Sequence, residues 1–237
     1  MCLDGMNVVL AHGAWADGSS WSKVIGPLRA KGAKVIAAPL PLTSLADDVI
    51  ALERTLERVE GSATLVGHAY AGAVIGAPRS EKIRSLVYVA ALAPDEGETV
   101  ADVFYRAEPH PLAPKLAPDS HGEIWLPESA FAAAFAQHAS TDELALFAAV
   151  QRPISAACIS VKVGRPLWKD RPSWFLVAEQ DRMIAADTQR FMAARMNAHM
   201  QSHPFDHAPM VTAPGAVADF ILQAARASEA HPRLPNS

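Results

Sequence analysis

Two cysteines in 237 residues are too few for a disulfide framework, and neither Cys2 nor Cys158 sits in a recognisable pairing motif. A reduced, cytoplasmic setting is the simplest expectation. No stretch approaches eighteen uninterrupted apolar residues, so no spanning helix is expected. The opening Met1-Cys-Leu-Asp-Gly has no basic region and no long apolar run, which argues against a secretion signal. Basic clusters are missing as well. The 21 Lys and Arg against 25 Asp and Glu give a formal net charge of -4, a poor match to nucleic acid or to an anionic membrane surface. What is abundant is apolar side chain: at 50% hydrophobic, a chain of this length can bury one large core as a single domain over residues 1–237.

The most consequential absence is one hydroxyl. Residues 66–74 read Val-Gly67-His68-Ala69-Tyr70-Ala71-Gly72-Ala-Val. The pattern G-x-S-x-G marks a sharp strand-to-helix turn that lifts a serine clear of a sheet. Here Gly67 fits, Ala69 stands at the serine position, and Ala71 takes the place of the closing glycine. The flanks suit such a turn, because Ala63-Thr-Leu-Val-Gly67 is a short apolar run and Tyr70 to Ala77 is a stretch of small residues fit for close helix packing.

Three further segments fall around it in order. Met6-Asn-Val-Val-Leu-Ala-His12-Gly13 is a buried-strand pattern ending in His-Gly, followed by Ala14-Trp15. Ser173-Trp-Phe-Leu-Val-Ala-Glu179-Gln-Asp181 is a second apolar strand ending in carboxylates. Ser202-His203-Pro-Phe-Asp206-His207-Ala-Pro-Met210 sets a histidine between a short strand and a final helix. The order nucleophile position, acid, histidine resembles the α/β-hydrolase family, and the resemblance runs from about residue 6 to about residue 227. Within that family, His12-Gly-Ala-Trp15 is similar to the small esterase and hydroxynitrile-lyase branch.

Alternating strand and helix signals agree with an α/β fold, a mostly parallel sheet of about six strands flanked by helices. An amphipathic segment covers 19–31, a strand 33–40, a helix opens near Ser44 and reaches Glu60, and Ile83 to Leu92 continues the sheet. From about 93 to 170 the alternation breaks into a proline-rich insertion, with helical segments expected at Val100 to Arg106, Glu128 to His138 and Thr141 to Val150. The resemblance implies that this insertion is a cap over the site, built into one domain. The tail after Ala230 reads as frayed.

The resemblance assigns roles residue by residue. His207 becomes the base, as imidazole titrates near neutrality and moves protons both ways. Asp181 orients it, with Glu179 and Asp206 as competing carboxylates. An oxyanion hole would use the amide of Tyr70 and that of Ala14 or Trp15. His12, Trp15, Tyr70 and Met210 are expected at the substrate pocket, and His68 has no role. A metal bound by His203 and His207 is disfavoured by Pro204 between them, no cofactor is expected, and Cys158 reads as an inert buried thiol. The ligand would be a small molecule, an ester or carbonyl compound; homo-oligomers are compatible with all of this.

Ala69 then permits three accounts. The first is a carboxylic-ester hydrolase scaffold whose serine has been replaced, by design or by nature, with little acyl-enzyme chemistry left. The second is a natural enzyme of lyase, isomerase or cofactor-free oxygenase type that works through His207, Asp181 and the oxyanion hole. The third is a binding protein that has lost catalysis, against which the retained histidine and acid weigh.

Overall fold

The computed structural model describes residues 5–230; Cys2 and the tail expected to fray lie outside them. A buried Asn7 and four buried apolar residues after it build β1, Asn7–Ala11. A short turn and α1 (Ser22–Ala30) lead to β2 (Lys34–Ala38), and α2 (Leu45–Glu57) leads to β3 (Ala63–His68). The Ser44 hydroxyl caps α2 by accepting from the Asp47 amide at 3.0 Å, and Asp47 and Asp48 in the first turn favour the helix dipole. After α3 (Ala71–Ile75) comes β4, Ile83–Val89.

The chain then leaves the sheet for more than eighty residues. This excursion carries α4 (Val100–Phe104), β5 (Glu123–Ile124), α5 (Glu128–Ala130), α6 (Thr141–Val150), β6 (Ile154–Ser155) and α7 (Ala156–Ile159). The helix of α5 runs on over Phe131–Phe135 with wider winding, closed by Ala136 N–H donating to Phe131 O at 2.8 Å. Capping boxes start α4 at Thr99 with Asp102 and α6 at Ser140 with Glu143. β5 and β6 pair antiparallel as a sheet of their own.

The main sheet resumes with β7 (Ser173–Ala178), α8 (Ala186–Arg195) and β8 (His199–His203), and closes with α9 (Pro209–Thr212) and α10 (Pro214–Ala230). Its six strands run in the order β2-β1-β3-β4-β7-β8, all parallel. Central strands β1, β3 and β7 are buried along their whole length, as expected for a parallel sheet covered on both faces, whereas the edge strands β2 and β8 are partly exposed. The chain steps out from β1 to β2 and returns to β3 on the other side. Helices therefore leave the carboxyl ends of β1 and β3 in opposite senses and open a crevice there, the place where such sheets bind ligands.

The excursion between β4 and β7 is fastened over that crevice by the loops at the strand ends. Ser155 N–H donates to Leu42 O at 2.9 Å, Arg182 Nη1 to Ala133 O at 2.7 Å, and His138 N–H to Asp206 Oδ2 at 3.0 Å.

Candidate active site

The turn after β3 is forced into an unusual conformation. Ala69 has φ +49°, in the left-handed region, where a side chain costs about 1–2 kcal/mol. The turn is held by Leu92 N–H and Gly72 N–H, which both donate to Ala69 O at 2.9 and 3.1 Å. Glycine is required at Gly72, where a Cβ would lie 2.3 Å from Leu92 O. It is required at Gly67 too, where a Cβ would lie 2.7 Å from Ala71 O. Ala71 itself is fully buried and accommodated, so Gly72 rather than position 71 supplies the close approach. The elbow keeps its strained backbone although alanine has nothing to present but a methyl group.

Across from it runs the loop after β1. Trp15 also has a positive φ, +57°, and is bonded at both ends: its amide donates to Arg152 O at 3.0 Å and its indole Nε1 to Ile124 O at 2.9 Å. The Trp15 amide is thus committed, which corrects its place among the oxyanion donors. The Ala14 and Tyr70 amides donate to no partner among the described residues, and both residues line the same pocket.

Of the three carboxylates weighed from sequence, one meets the histidine. Asp181 Oδ2 accepts from His207 Nδ1 at 2.8 Å, with both side chains buried. The carboxylate is held by three more donors: the amides of Met183 and Ile184 on Oδ1 at 2.7 and 2.9 Å, and Gln189 Nε2 on Oδ2 at 2.8 Å. Gln189 is itself fixed, since Nε2 also donates to Ile184 O and Oε1 accepts from the Ala178 amide. Glu179 pairs with Arg190 instead. Asp206 accepts from the Thr212 hydroxyl at 2.7 Å and from the His138 and Ala208 amides, so it ties α9 to the excursion. With Nδ1 engaged, Nε2 is the ring nitrogen His207 has left for a ligand, and His207 borders the pocket.

That pocket lies between the strand ends and the excursion. Its floor is Ala14, Ala69, Tyr70 and His207, its roof includes Val100, Phe104, Leu116 and Ile124, and no Asp, Glu, Lys or Arg lines it. The cavity measures about 60 Å³.

Two residues expected on the pocket wall are elsewhere. Met210 is buried in α9 and His12 behind the loop, its Nδ1 3.0 Å from Gly13 O; neither lines the cavity. Burial of the Met210 thioether is favourable, whereas the His12 ring is buried with Nε2 unpartnered among the described residues. Burial holds the His12 pKa below its usual value.

Tyr70 does line the pocket, and its hydroxyl donates to Asp48 Oδ2 at 2.6 Å. Asp48 is fully buried and also accepts from the Leu42 amide at 2.7 Å, with Cys158 Sγ at 3.8 Å. Burial raises the Asp48 carboxyl above its ordinary range, against the hydrogen bonds it accepts. Burial likewise pushes the Cys158 thiol up to about 12, and Cys158 does not line the pocket, so it presents no thiolate there. Sequence reasoning passed over Asp48, Gln189 and the partners of His68. A carboxylate or amide on a helix face looks like any solvated one until its burial is known.

Comparison with known proteins adds the lineage. The sequence profile of the alpha/beta hydrolase family matches residues 8–220. A carbendazim hydrolyzing esterase of Nocardioides sp. (strain SG-4G) is 27% identical over 180 residues, covering 70% of this chain and 66% of that protein, just under two thirds of its length. Among solved structures, polyneuridine aldehyde esterase superposes with a TM-score of 0.76 at 18% identity, over 93% of this chain and 99% of that one. A pyrethroid hydrolase from Sphingobium faniae JZ-2 gives 0.76 at 21% identity over 94% and 98%. The methylesterase MES16 from Arabidopsis gives 0.77 at 16% identity over 93% and 99%. At such identities these structures speak for the fold alone. No helix among the described residues is long and apolar enough to cross a membrane.

Proposed function

This chain belongs to the alpha/beta hydrolase family, and we propose that it is an esterase scaffold acting on a small, uncharged ester or carbonyl compound without an acyl-enzyme step. The observation that carries the reading is Ala69 at φ +49°, in a pocket bordered by His207 and by the unengaged amides of Ala14 and Tyr70. A strained turn of this kind serves to present a residue to a ligand, yet a methyl group cannot attack.

Chemistry then falls to the base. His207 Nε2 takes a proton from a water, or from an acidic C–H, standing where a serine hydroxyl would stand. Asp181 steadies the imidazolium through Nδ1–H. For an ester, the water oxygen bonds to the carbonyl carbon while its proton passes to His207, and the carbonyl oxygen becomes an oxyanion facing the Ala14 and Tyr70 amides. Collapse breaks the bond to the leaving alkoxide, which receives the proton back from His207. The absence of any charged wall residue suits a neutral substrate. The carboxylate's four donors favour catalysis over simple binding, since a pure binder has no use for an oriented base.

The test is Ala69→Ser, assayed on short-chain nitrophenyl esters by rapid mixing beside the native chain. Restoring the nucleophile is worth up to about 10⁶ in turnover when base and oxyanion hole are in place. A burst of one equivalent in the serine form alone is expected, and His207→Ala abolishes both the burst and any slow turnover of the native chain. A folded serine form inert toward a broad ester panel overturns the reading.

A further inference from the structure

His68, inside the elbow, has no part in the chemistry above and is fully buried. Its Nε2 lies 2.7 Å from the backbone carbonyl of His207. A carbonyl only accepts, so Nε2 carries the proton and donates. The two imidazole rings lie against each other with centroids 4.7 Å apart, and Phe135 packs edge-on to both, at 6.2 Å from His68 and 5.0 Å from His207. The other nitrogen, Nδ1, is buried without a partner among the described residues. A ring with one bonded and one bare nitrogen, and no carboxylate at hand, is a neutral ring. Burial, and then the charge of His207, holds the His68 pKa well below its usual value.

We propose that His68 is a positioning residue for His207: its Nε2–H clamps the main chain of the base while its ring face fixes the tilt of the catalytic imidazole above Ala69. The inference rests on the reading of His207 as the base. Two bonds then define that imidazole. Asp181 holds it by the side chain, and His68 holds it by the backbone carbonyl 139 residues away in sequence. Placing the clamp within the elbow is efficient, because β3 delivers His68 and Ala69 as neighbours, so the base is registered directly to the reacting position.

Glutamine and asparagine separate the clamp from mere filling of space. The amide nitrogen of glutamine reaches about where Nε2 lies, whereas that of asparagine stops near Nδ1. His68→Gln therefore keeps the bond to His207 O, and His68→Asn loses it, at similar cost in packing. The first readout needs no substrate: the low-field proton of His207 Nδ1–H, identified by its absence from His207→Ala, and its exchange with water. We expect this signal to survive in His68→Gln and to exchange at least tenfold faster, or vanish, in His68→Asn.

The second readout is the ester burst in the Ala69→Ser background. A misplacement of about 1 Å at the base lowers turnover by up to about 100-fold, so kcat falls on that scale in His68→Asn and much less in His68→Gln, with KM changed less than twofold in either. Equal proton signals in the folded asparagine and glutamine forms, whether both kept or both lost, overturn the proposal. An inert Ala69→Ser form overturns the hydrolase reading alone, since the proton signal still reports the clamp.

Discussion

Asp181→Asn tests the hydrogen-bond logic of the site most sharply, because every donor around that carboxylate has a known direction. The asparagine oxygen can replace Oδ1 and accept from the Met183 and Ile184 amides. Its NH₂ group must then occupy the position of Oδ2, facing Gln189 Nε2 and His207 Nδ1, both donors in the native protein. Gln189 cannot flip to help, since its Nε2 is bonded to Ile184 O and its Oε1 to the Ala178 amide. His207 can adapt by moving its proton from Nδ1 to Nε2. One donor conflict is relieved in this way and one remains. That conflict turns two buried N–H groups toward each other; each unsatisfied buried donor costs about 1–3 kcal/mol, so in a chain of this size Tm falls by at least about 2 °C.

The tautomer change has the larger functional effect. With its proton on Nε2, the imidazole no longer accepts one from water or serine, and the loss of turnover is on the order of 10⁴. Thermal unfolding gives the first quantity, nitrogen NMR of the His207 ring the tautomer, and the burst in the Ala69→Ser background the rate. An Asp181→Asn protein with unchanged Tm and its proton still on Nδ1 refutes the reasoning. Glu179→Gln, which alters contacts with Arg190 and Ser202 but none with His207, should leave the tautomer and the burst alone.

Two further outcomes follow from the structure. Trp15→Phe keeps a ring in place but removes the indole donor to Ile124 O. A loss of about 1–3 kcal/mol is expected, with faster hydrogen exchange concentrated in residues 123–126 and 151–155; unchanged exchange there contradicts a role in anchoring β5 and β6. Asp48 has a carboxyl pKa raised in the folded state, so the fold binds its proton more tightly than the unfolded chain does. Its contribution to stability is therefore greatest at low pH and is lost as pH rises from the unfolded carboxyl value through the folded one. Asp48→Asn should flatten that part of the stability profile, measured by urea unfolding from about pH 4 upward; an unaltered slope contradicts the assignment.

Much of the architecture was legible before folding. The apolar runs of β1, β3, β4 and β7, separated by helical periodicity, require a parallel sheet whose faces are both covered. The start of α2 near Ser44 and three helices of the excursion, α4, α5 and α6, were likewise expected, whereas the short α7 was not. The elbow was legible from Gly67 and the small residues after it, since only glycine fits where backbone meets backbone. Placement of Ala69, Asp181 and His207 at strand ends followed from chain order, because parallel strands send all their carboxyl ends to one edge.

What sequence alone determined, then, was that Ala69, Asp181 and His207 follow the ends of parallel strands on one edge of the sheet. Which groups touch was decided by tertiary structure. Glu179, Asp181 and Asp206 are equivalent as letters, and only the direction of each side chain gives Asp181 to His207, Glu179 to Arg190 and Asp206 to Thr212 and the His138 amide. Trp15 looked like an oxyanion donor until Arg152, brought back from far along the chain, took its amide. Met210 and His12 turned from the pocket to the core, while Gln189, Asp48 and His68 acquired partners that no local pattern encodes. The physical reason is the same in each case. Periodicity and turn chemistry act between neighbours in sequence, whereas a buried hydrogen bond is chosen by whichever group the fold delivers within about 3 Å.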